Sequence, residues 1–576
     1  MADCETLAEG DRGGGPAQAR LAPAKERERE KEARDAEQVS FERWSDRGLV
    51  GAGVALAFYS LLQLVQYKYG RDQGIYAVVA DAVVRGGMPY RDSWDFKPPG
   101  VFCVYALARA LFGSGQWGIR LLEAAGFAAL VPSFMTLTRR LFGSRMAGFM
   151  GAVIAILVNA QLEFWHTSQP ESFAGILTIV GLVLATDERA VVESGRVTRR
   201  GWLCWAGAGV LFGMAGLMKP QMIGASGVVA AYLAWQLHRT GVVWKRAWPP
   251  VAALAAGSVL PLLVIAGWFK VRGAWAELHH TLFVFAPGYG ATTWHPEWWA
   301  NYAYYAVEIA LVTVSGFLFA GLVLAVSLGR RRHEVPGLLL LAGITTLHLA
   351  GIAVQSKFFP YHFAGTLPLI ALVAGLGWWK LWQASKRKGP LAVAGFLALV
   401  VFLARARTAT KDLAETFWDR SWQRTSALLS GDAERSASLD EKLYSVADVS
   451  YGQNMKVVRW LQDNTAADDP VYIWGFEPFI YDVAKRRPAT RYIYNVPQRV
   501  AWFRDEARSR LMKDLQRELP KAIVVEHRDV FPVVTGDSLD SEASLQGFWA
   551  LRELIDTRYM HAAAFGDFDV YRLRSE

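Results

Sequence analysis

The feature that most restricts this chain is a train of long apolar segments, separated by short polar stretches, running from about residue 48 to about residue 405. Segments at 48–66, 117–138, 144–160, 171–186, 203–218, 221–237, 249–269, 304–328, 336–354, 363–382 and 390–405 have the length and apolarity of bilayer spans. In hydrocarbon the backbone polar groups of a span must be bonded within that span, so segments of this kind are helices. The expected fold is mainly α, a polytopic membrane helix bundle of about eleven spans with added juxtamembrane helices.

One further apolar stretch, 101–113, is too short to cross and reads as interfacial or re-entrant. Charge decides its place. If it does not cross, Arg139, Arg140 and Arg145, the run 196–200, Arg239 with Lys245 and Arg246, the run 330–332 and the run 386–388 all lie on the side of the N-terminus. If it crosses, all of them move outside. Lys and Arg accumulate in cytoplasmic loops, so the first arrangement is expected, with the N-terminus cytoplasmic. The external side then holds 70–113, 163–171, the break at Lys219, 270–299, 357–362 and everything after about Arg405.

The net charge of +9 would suit nucleic acid, but the basic residues fall in short runs between apolar segments, so no nucleic-acid partner is expected. Cys4, Cys103 and Cys204 are too far apart in sequence for a metal motif. Residues 1–47, rich in Gly, Ala, Glu and Arg, read as a disordered cytoplasmic tail, and the first span reads as an uncleaved anchor in the plasma (inner) membrane. The bundle occupies 48–405, with its external loop at 70–113, and 406–440 is a polar linker. From 441 to 576 helical patterns alternate with short β-rich runs at 471–474, 492–494, 522–525, 559–565 and 568–573, which predicts a compact extracytoplasmic α/β domain. That domain carries neither a Gly-rich phosphate loop nor a nucleophile elbow.

Chemistry is expected first in the loop, where Arg71, Asp72, Asp81, Arg85, Arg91, Asp92, Asp95 and Lys97 crowd beside a bilayer surface. Charges there must be solvated, paired or used. Residues 75–84 form a short predicted helix stopped at Gly86, with Asp72 at its start, where a carboxylate serves either as a cap or as a catalyst. Glu171, just after Pro170, either complements a helix dipole or acts in a site. Lys219, Lys357 and His362 either anchor helix ends at the interface or meet a phosphate. Between 270 and 303, Arg272, His279, His280, Tyr289, His295 and the tryptophans suit an interfacial belt or a glycan-stacking surface, and the adjacent histidines have poor spacing for a metal.

The pattern Asp72-x-Gly74-x-Tyr76, then Gly87-x-Pro89-Tyr90-x-Asp92, then Lys97-Pro98-Pro99-Gly100 resembles the first external loop of the GT-C membrane glycosyltransferases. The branch it looks most like contains protein O-mannosyltransferases and the aminoarabinose transferase of lipid A. The resemblance implies inverting transfer of a sugar from a polyprenyl-phosphate donor to a hydroxyl or amine of a lipid, glycan or protein acceptor at the external face. It implies Asp72 as general base and Glu171 as the second acidic position, orienting the acceptor or a cation. Lys97 and Lys219, with Arg71, Lys357 and His362, are the implied partners of the lipid phosphate, and Tyr76, Asp92 and Asp95 share the substrate-binding loop. No metal or cofactor is required by these residues, although Asp72 with Glu171 could hold a divalent cation, as in some relatives.

Two other classes compete. A secondary transporter or lipid flippase would place ionisable groups inside its spans and show repeated halves, whereas here the charges gather on one face and no repeat is visible. An assembly scaffold would leave the clustered acids and lysines unexplained.

Overall fold

The computed structural model describes residues 16–187, 197–239, 244–313, 316–329, 331–405, 413–441 and 451–574. All eleven apolar segments are helical over most of their described length. Among the described residues, five helices are long and apolar enough to cross a membrane alone: Glu37–Gln66, Trp117–Phe142, Arg199–Met218, Trp248–Val271 and Arg332–Gln355. The segment at 304–328 is helical over Trp299–Glu308, Ile309–Thr313 and Gly316–Ser327, and 314–315 lie outside the described residues.

The first helices are α1 (Pro16–Gln66), α2 (Arg71–Val84), α3 (Gly100–Phe112), α4 (Trp117–Phe142) and α5 (Arg145–Gln161). They are followed by α6 (Glu163–His166), α7 (Pro170–Ala185), α8 (Arg199–Met218), α9 (Gly224–Arg239) and α10 (Trp244–Val271). Helix α5 is buried nearly all round, packed against α1, α4 and the helix Leu367–Lys388. Its apolar residues occupy every face, which suits a central helix and no other place.

The bundle has two chemically distinct ends. At one, Lys386 Nζ pairs with Asp46 at 2.7 Å, Lys380 with Glu334 at 2.8 Å and Arg140 with Asp187 at 3.5 Å, which gathers basic clusters beside the N-terminal part of α1. Arg196, Arg330 and Cys4 fall outside the described residues. At the other end lie α2, α3, α6 and the C-terminal region. Helix α3 stays there: its Arg109 is paired with Asp81 at 3.1 Å and with Asp482 of the C-terminal region, so it runs beneath that region instead of crossing.

Two stretches expected to be irregular are helical where the structure describes them. The tail expected to be disordered over 1–47 is helical from Pro16 onward, continuous with the first span. The reason is in its composition: Ala, Glu, Lys and Arg are strong helix formers, and opposite charges recur at helical spacing. The linker expected over 406–440 contains the helices Leu413–Ser430 and Ala433–Glu441. The first docks on the bundle, where Tyr59 Oη donates to Ser421 Oγ at 3.0 Å and Gln63 Nε2 to Thr425 Oγ1 at 2.9 Å. Arg420 and Arg424 reach the buried Glu163 at 3.1 and 3.9 Å.

The C-terminal region holds a five-stranded sheet of β1 (Pro470–Trp474), β2 (Arg487–Pro488), β3 (Ala522–Glu526), β4 (Tyr559–Phe565) and β5 (Phe568–Leu573) in the order β2-β1-β3-β5-β4. Strand β1 is parallel to β2 and β3, while β4 and β5 form an antiparallel hairpin against β3. One hydrophobic core joins Tyr76, Val79 and Phe102 of the loop to Tyr472, Phe479 and Tyr492. The run 492–494 forms no ladder strand; Tyr492 is bridged to Trp94 of the loop. Gly74 fixes the approach of α2, because a Cβ there would lie 2.2 Å from that of Phe479.

Candidate active site

Helix α2 begins at Gly70, whose N–H donates to Gln73 Oε1 at 2.9 Å. Gln73 thus supplies the local capping bond, and Asp72, in the first turn, is released from that duty. Its Oδ2 instead accepts from Gln169 Nε2 at 3.2 Å, and Gln169 Oε1 accepts from Tyr76 Oη at 3.0 Å. The carboxylate is therefore oriented by a buried amide, and Asp72 lines a small cavity of about 50 Å³. Asp72, Asp95, Phe96, Lys97, Tyr289, Tyr361 and Tyr494 are among the residues lining it.

A second cavity, about 500 Å³ and mainly apolar, adjoins the first. Its apolar wall comes from Leu217, Ile223, Leu262, Leu282 and Phe283, and its polar end from Lys97, Lys219, Gln355, Lys357 and His362. Phe96, Lys97, Tyr289 and Tyr361 line both cavities. Lys97 is thus the cation at their junction, and it is set there by Pro98 and Pro99, which fix the backbone behind it.

Electrostatics follow from this layout. Burial works against the Lys97 charge, but the carboxylates of Asp72, Asp95 and Glu171 outweigh it and hold the ammonium above the ordinary lysine range. Its Nζ lies 5.0 Å from the Phe96 ring and 5.7 Å from the Tyr76 ring, and it makes no ion pair within 4 Å among the described residues. Asp95 is pushed up by burial, against the pull of Lys97 and of a 2.7 Å hydrogen bond from Tyr494 Oη. Lys219 Nζ pairs with the buried Glu171 at 2.8 Å and donates to Gln355 Oε1 at 3.1 Å. An ammonium has three donors, so one is left for a ligand. Lys357 Nζ donates to Val533 O at 2.7 Å and to Thr293 Oγ1 at 3.2 Å, and burial lowers it to about 8.

The structure does not gather every residue expected. Arg71 lies beside the cavity, but its guanidinium is bound to Glu477 at 2.8 Å and lies 3.6 Å from Glu526, two buried carboxyl groups of the C-terminal region. Asp92 is on the opposite side of the loop, where it accepts from Met88 N at 2.7 Å and pairs with Arg91 at 2.8 Å. His362 offers no cation: burial and the nearby Lys219 push it well below the ordinary histidine range. A carbonyl only accepts, so Nδ1 of His362 donates to Lys357 O, and its bare Nε2 faces Glu171 at 3.9 Å without the charge an ion pair needs. Glu171 is held by Lys219, and no group of three or more His, Cys, Asp or Glu suited to a metal occurs among the described residues.

Sequence reasoning missed Gln169, Gln355, Thr293, Tyr361 and Tyr494. Gln169 and Tyr361 sit inside segments already singled out, beside Glu171 and His362, whereas Tyr494 and Glu477 lie hundreds of residues from the loop with no local signal.

With this geometry in place, comparison with known proteins is informative. The family model for dolichyl-phosphate-mannose-protein mannosyltransferases matches residues 96–268, a segment that includes Lys97, Glu171 and Lys219 but not Asp72. The undecaprenyl phosphate-alpha-4-amino-4-deoxy-L-arabinose arabinosyl transferase 2 of Pseudomonas fluorescens is 28% identical over 145 residues, which is 24% of this chain and 24% of that protein. This chain therefore spans, by that match, about a quarter of the curated relative's length. The crystal structure of ArnT from Cupriavidus metallidurans bound to undecaprenyl phosphate superposes with a TM-score of 0.51 at 15% identity, covering 91% of this chain and 98% of that one. At that identity the likeness speaks for the fold.

Proposed function

We propose, from a chain with the GT-C membrane glycosyltransferase fold, that it transfers a sugar from a polyprenyl-phosphate donor to a hydroxyl or amine at the extracytoplasmic face. The observation that carries this reading is the junction of the two cavities at Lys97, with a carboxylate on one side and an apolar groove ending in lysines on the other.

A polyprenyl chain is recognised by apolar surface alone, and its phosphate by cations at the end of that surface. In this reading the groove takes the chain, and Lys97, Lys219 and Lys357 meet the phosphate. The glycosyl head then lies past Lys97, in the cavity shared by Asp72, Asp95 and the tyrosines. An acceptor hydroxyl is a weak nucleophile, and Asp72 accepts its proton as the new bond to the anomeric carbon forms. The bond from that carbon to the phosphate oxygen breaks, and the departing electron pair stays on the phosphate, whose growing charge the lysines stabilise. In this reading attack comes opposite the departing phosphate and inverts the anomeric centre, as the resemblance to the GT-C enzymes implies. Glu171 acts through Lys219, as a positioning residue and not as a second acid. Asp95 and Tyr494 are suited to fixing sugar hydroxyls.

The experiment is incubation of the purified protein with a panel of polyprenyl-phosphate sugars and candidate acceptors, with release of the carrier phosphate as readout. Transfer with at least one donor, lost in Asp72→Asn, supports the reading. Turnover by Asp72→Asn near that of the wild type refutes the base assignment.

A further inference from the structure

A third cavity, of about 560 Å³, lies at the same end of the molecule but outside the site just described. Residues around Trp275 and residues of the C-terminal region line it together, and its Trp94 lies 5.9 Å, between ring centroids, from Tyr494 of the reaction cavity. Trp94 lines this pocket, while its neighbour Asp95 lines the reaction cavity. Trp94 packs on Phe285 with ring centroids 4.8 Å apart.

Its walls combine flat apolar surface with planar polar groups. Trp275 is 47% exposed at the rim. Arg510 is exposed and makes no hydrogen bond or ion pair among the described residues. Glu277 Oε2 is shielded from solvent and accepts no hydrogen bond among the described residues, while Arg491 Nη1 donates to Tyr90 O at 3.2 Å and its guanidinium lies 5.3 Å from the Tyr492 ring. Buried polar atoms left unpaired are costly, and their presence in a pocket marks atoms that wait for a ligand. The ionisable lining also includes His279, His280 and Glu506, with Glu506 3.6 Å from His280, so the two carboxylates Glu277 and Glu506 face the two guanidinium groups of Arg491 and Arg510.

We infer that this pocket is a saccharide-binding subsite, taking a sugar unit of a glycan acceptor at a distance from the reacting hydroxyl. Pyranose and furanose rings present C–H faces that stack on aromatic rings, and vicinal hydroxyls that both donate and accept. A balanced set of carboxylates and guanidinium groups beside an exposed indole answers both needs. The inference deepens the transferase reading and rests on it for the role of the glycan, because it selects a saccharide among the acceptor classes.

The test measures binding, not transfer. Linear hexasaccharides of glucose, mannose, galactose and arabinofuranose are titrated into the full-length protein in detergent, with tryptophan fluorescence and calorimetry as readouts. At least one binds, and Trp275→Ala or Arg510→Gln weakens it about tenfold, in line with the loss of one aromatic or charged contact. Polyprenyl-phosphate binding by both variants stays at the wild-type level, and Asp72→Asn binds the saccharide normally, so failure of the transferase reading is registered separately. The inference is overturned if none of the saccharides binds, if both variants bind it like the wild type, as a purely membrane-anchoring Trp275 requires, or if the pocket takes unstructured peptides in preference.

Discussion

The pair formed by Lys219 and Glu171 allows phosphate recognition to be separated from stability. Lys219→Met removes a cation whose partner, Glu171, is only 1% exposed, and so leaves a buried carboxylate uncompensated. Breaking a buried pair on one side costs about 3–5 kcal/mol, and the melting temperature in detergent should fall clearly. The double variant Glu171→Gln/Lys219→Met removes both charges with little change of volume, and replacing a whole buried pair by neutral groups is often close to neutral in stability. Its melting temperature should return toward that of the wild type. Transfer should not return with it. A charge-assisted hydrogen bond to the phosphate is worth about 1.5–3 kcal/mol, so kcat/KM for the lipid-phosphate donor should drop roughly 10- to 150-fold in the refolded double variant. The assay is carrier release against donor concentration, alongside thermal melting of the same preparations. A double variant that melts like the wild type and keeps donor kcat/KM within about threefold of it would show that Lys219 is there only to neutralise Glu171.

Other expectations follow from the same geometry. Asp72→Asn keeps the hydrogen bond from Gln169 in reach but cannot take a proton, and its kcat should fall by about 10²–10⁴, the usual range for a general base, with melting unchanged. Lys357, lowered to about 8 by burial, is charged at neutral pH and loses its charge as pH rises through that value, so donor kcat/KM should decline on the alkaline side. Lys357→Arg should abolish that limb, and a profile unaltered by the substitution would remove Lys357 from the phosphate site. Arg71→Met strands Glu477 against the already protonated-leaning Glu526, whose carboxyl burial and the neighbouring Asp529 and Glu477 hold well above the ordinary range. It should lower melting by the equivalent of about 3–5 kcal/mol and loosen the C-terminal region to protease, and Arg71→Met/Glu477→Gln should recover most of the loss. A reporter fused after Glu576 should be active outside the cytoplasm, and activity inside would reverse the orientation drawn from the basic clusters.

The bundle is legible in the apolar pattern of the chain alone. A segment in hydrocarbon has to close its own hydrogen bonds, so apolarity and length were enough to mark the helices at 117–138 or 336–354 without any knowledge of their neighbours. The sequence also marked Asp72, Lys97, Glu171 and Lys219, because charged residues beside a membrane stand out against an apolar background. What it could not determine was how each charge is spent. Asp72 and Arg71 are adjacent in the chain, and the rotation of about 100° between neighbours on α2 turns them apart, the carboxylate to Gln169 and the guanidinium to Glu477, some four hundred residues away. Asp92 and Asp95 likewise part to opposite sides of the loop, and His362 loses its charge to burial. Only the tertiary structure decided these outcomes, since ion pairing, desolvation and cavity shape depend on atoms brought close in space, and sequence distance carries no record of them.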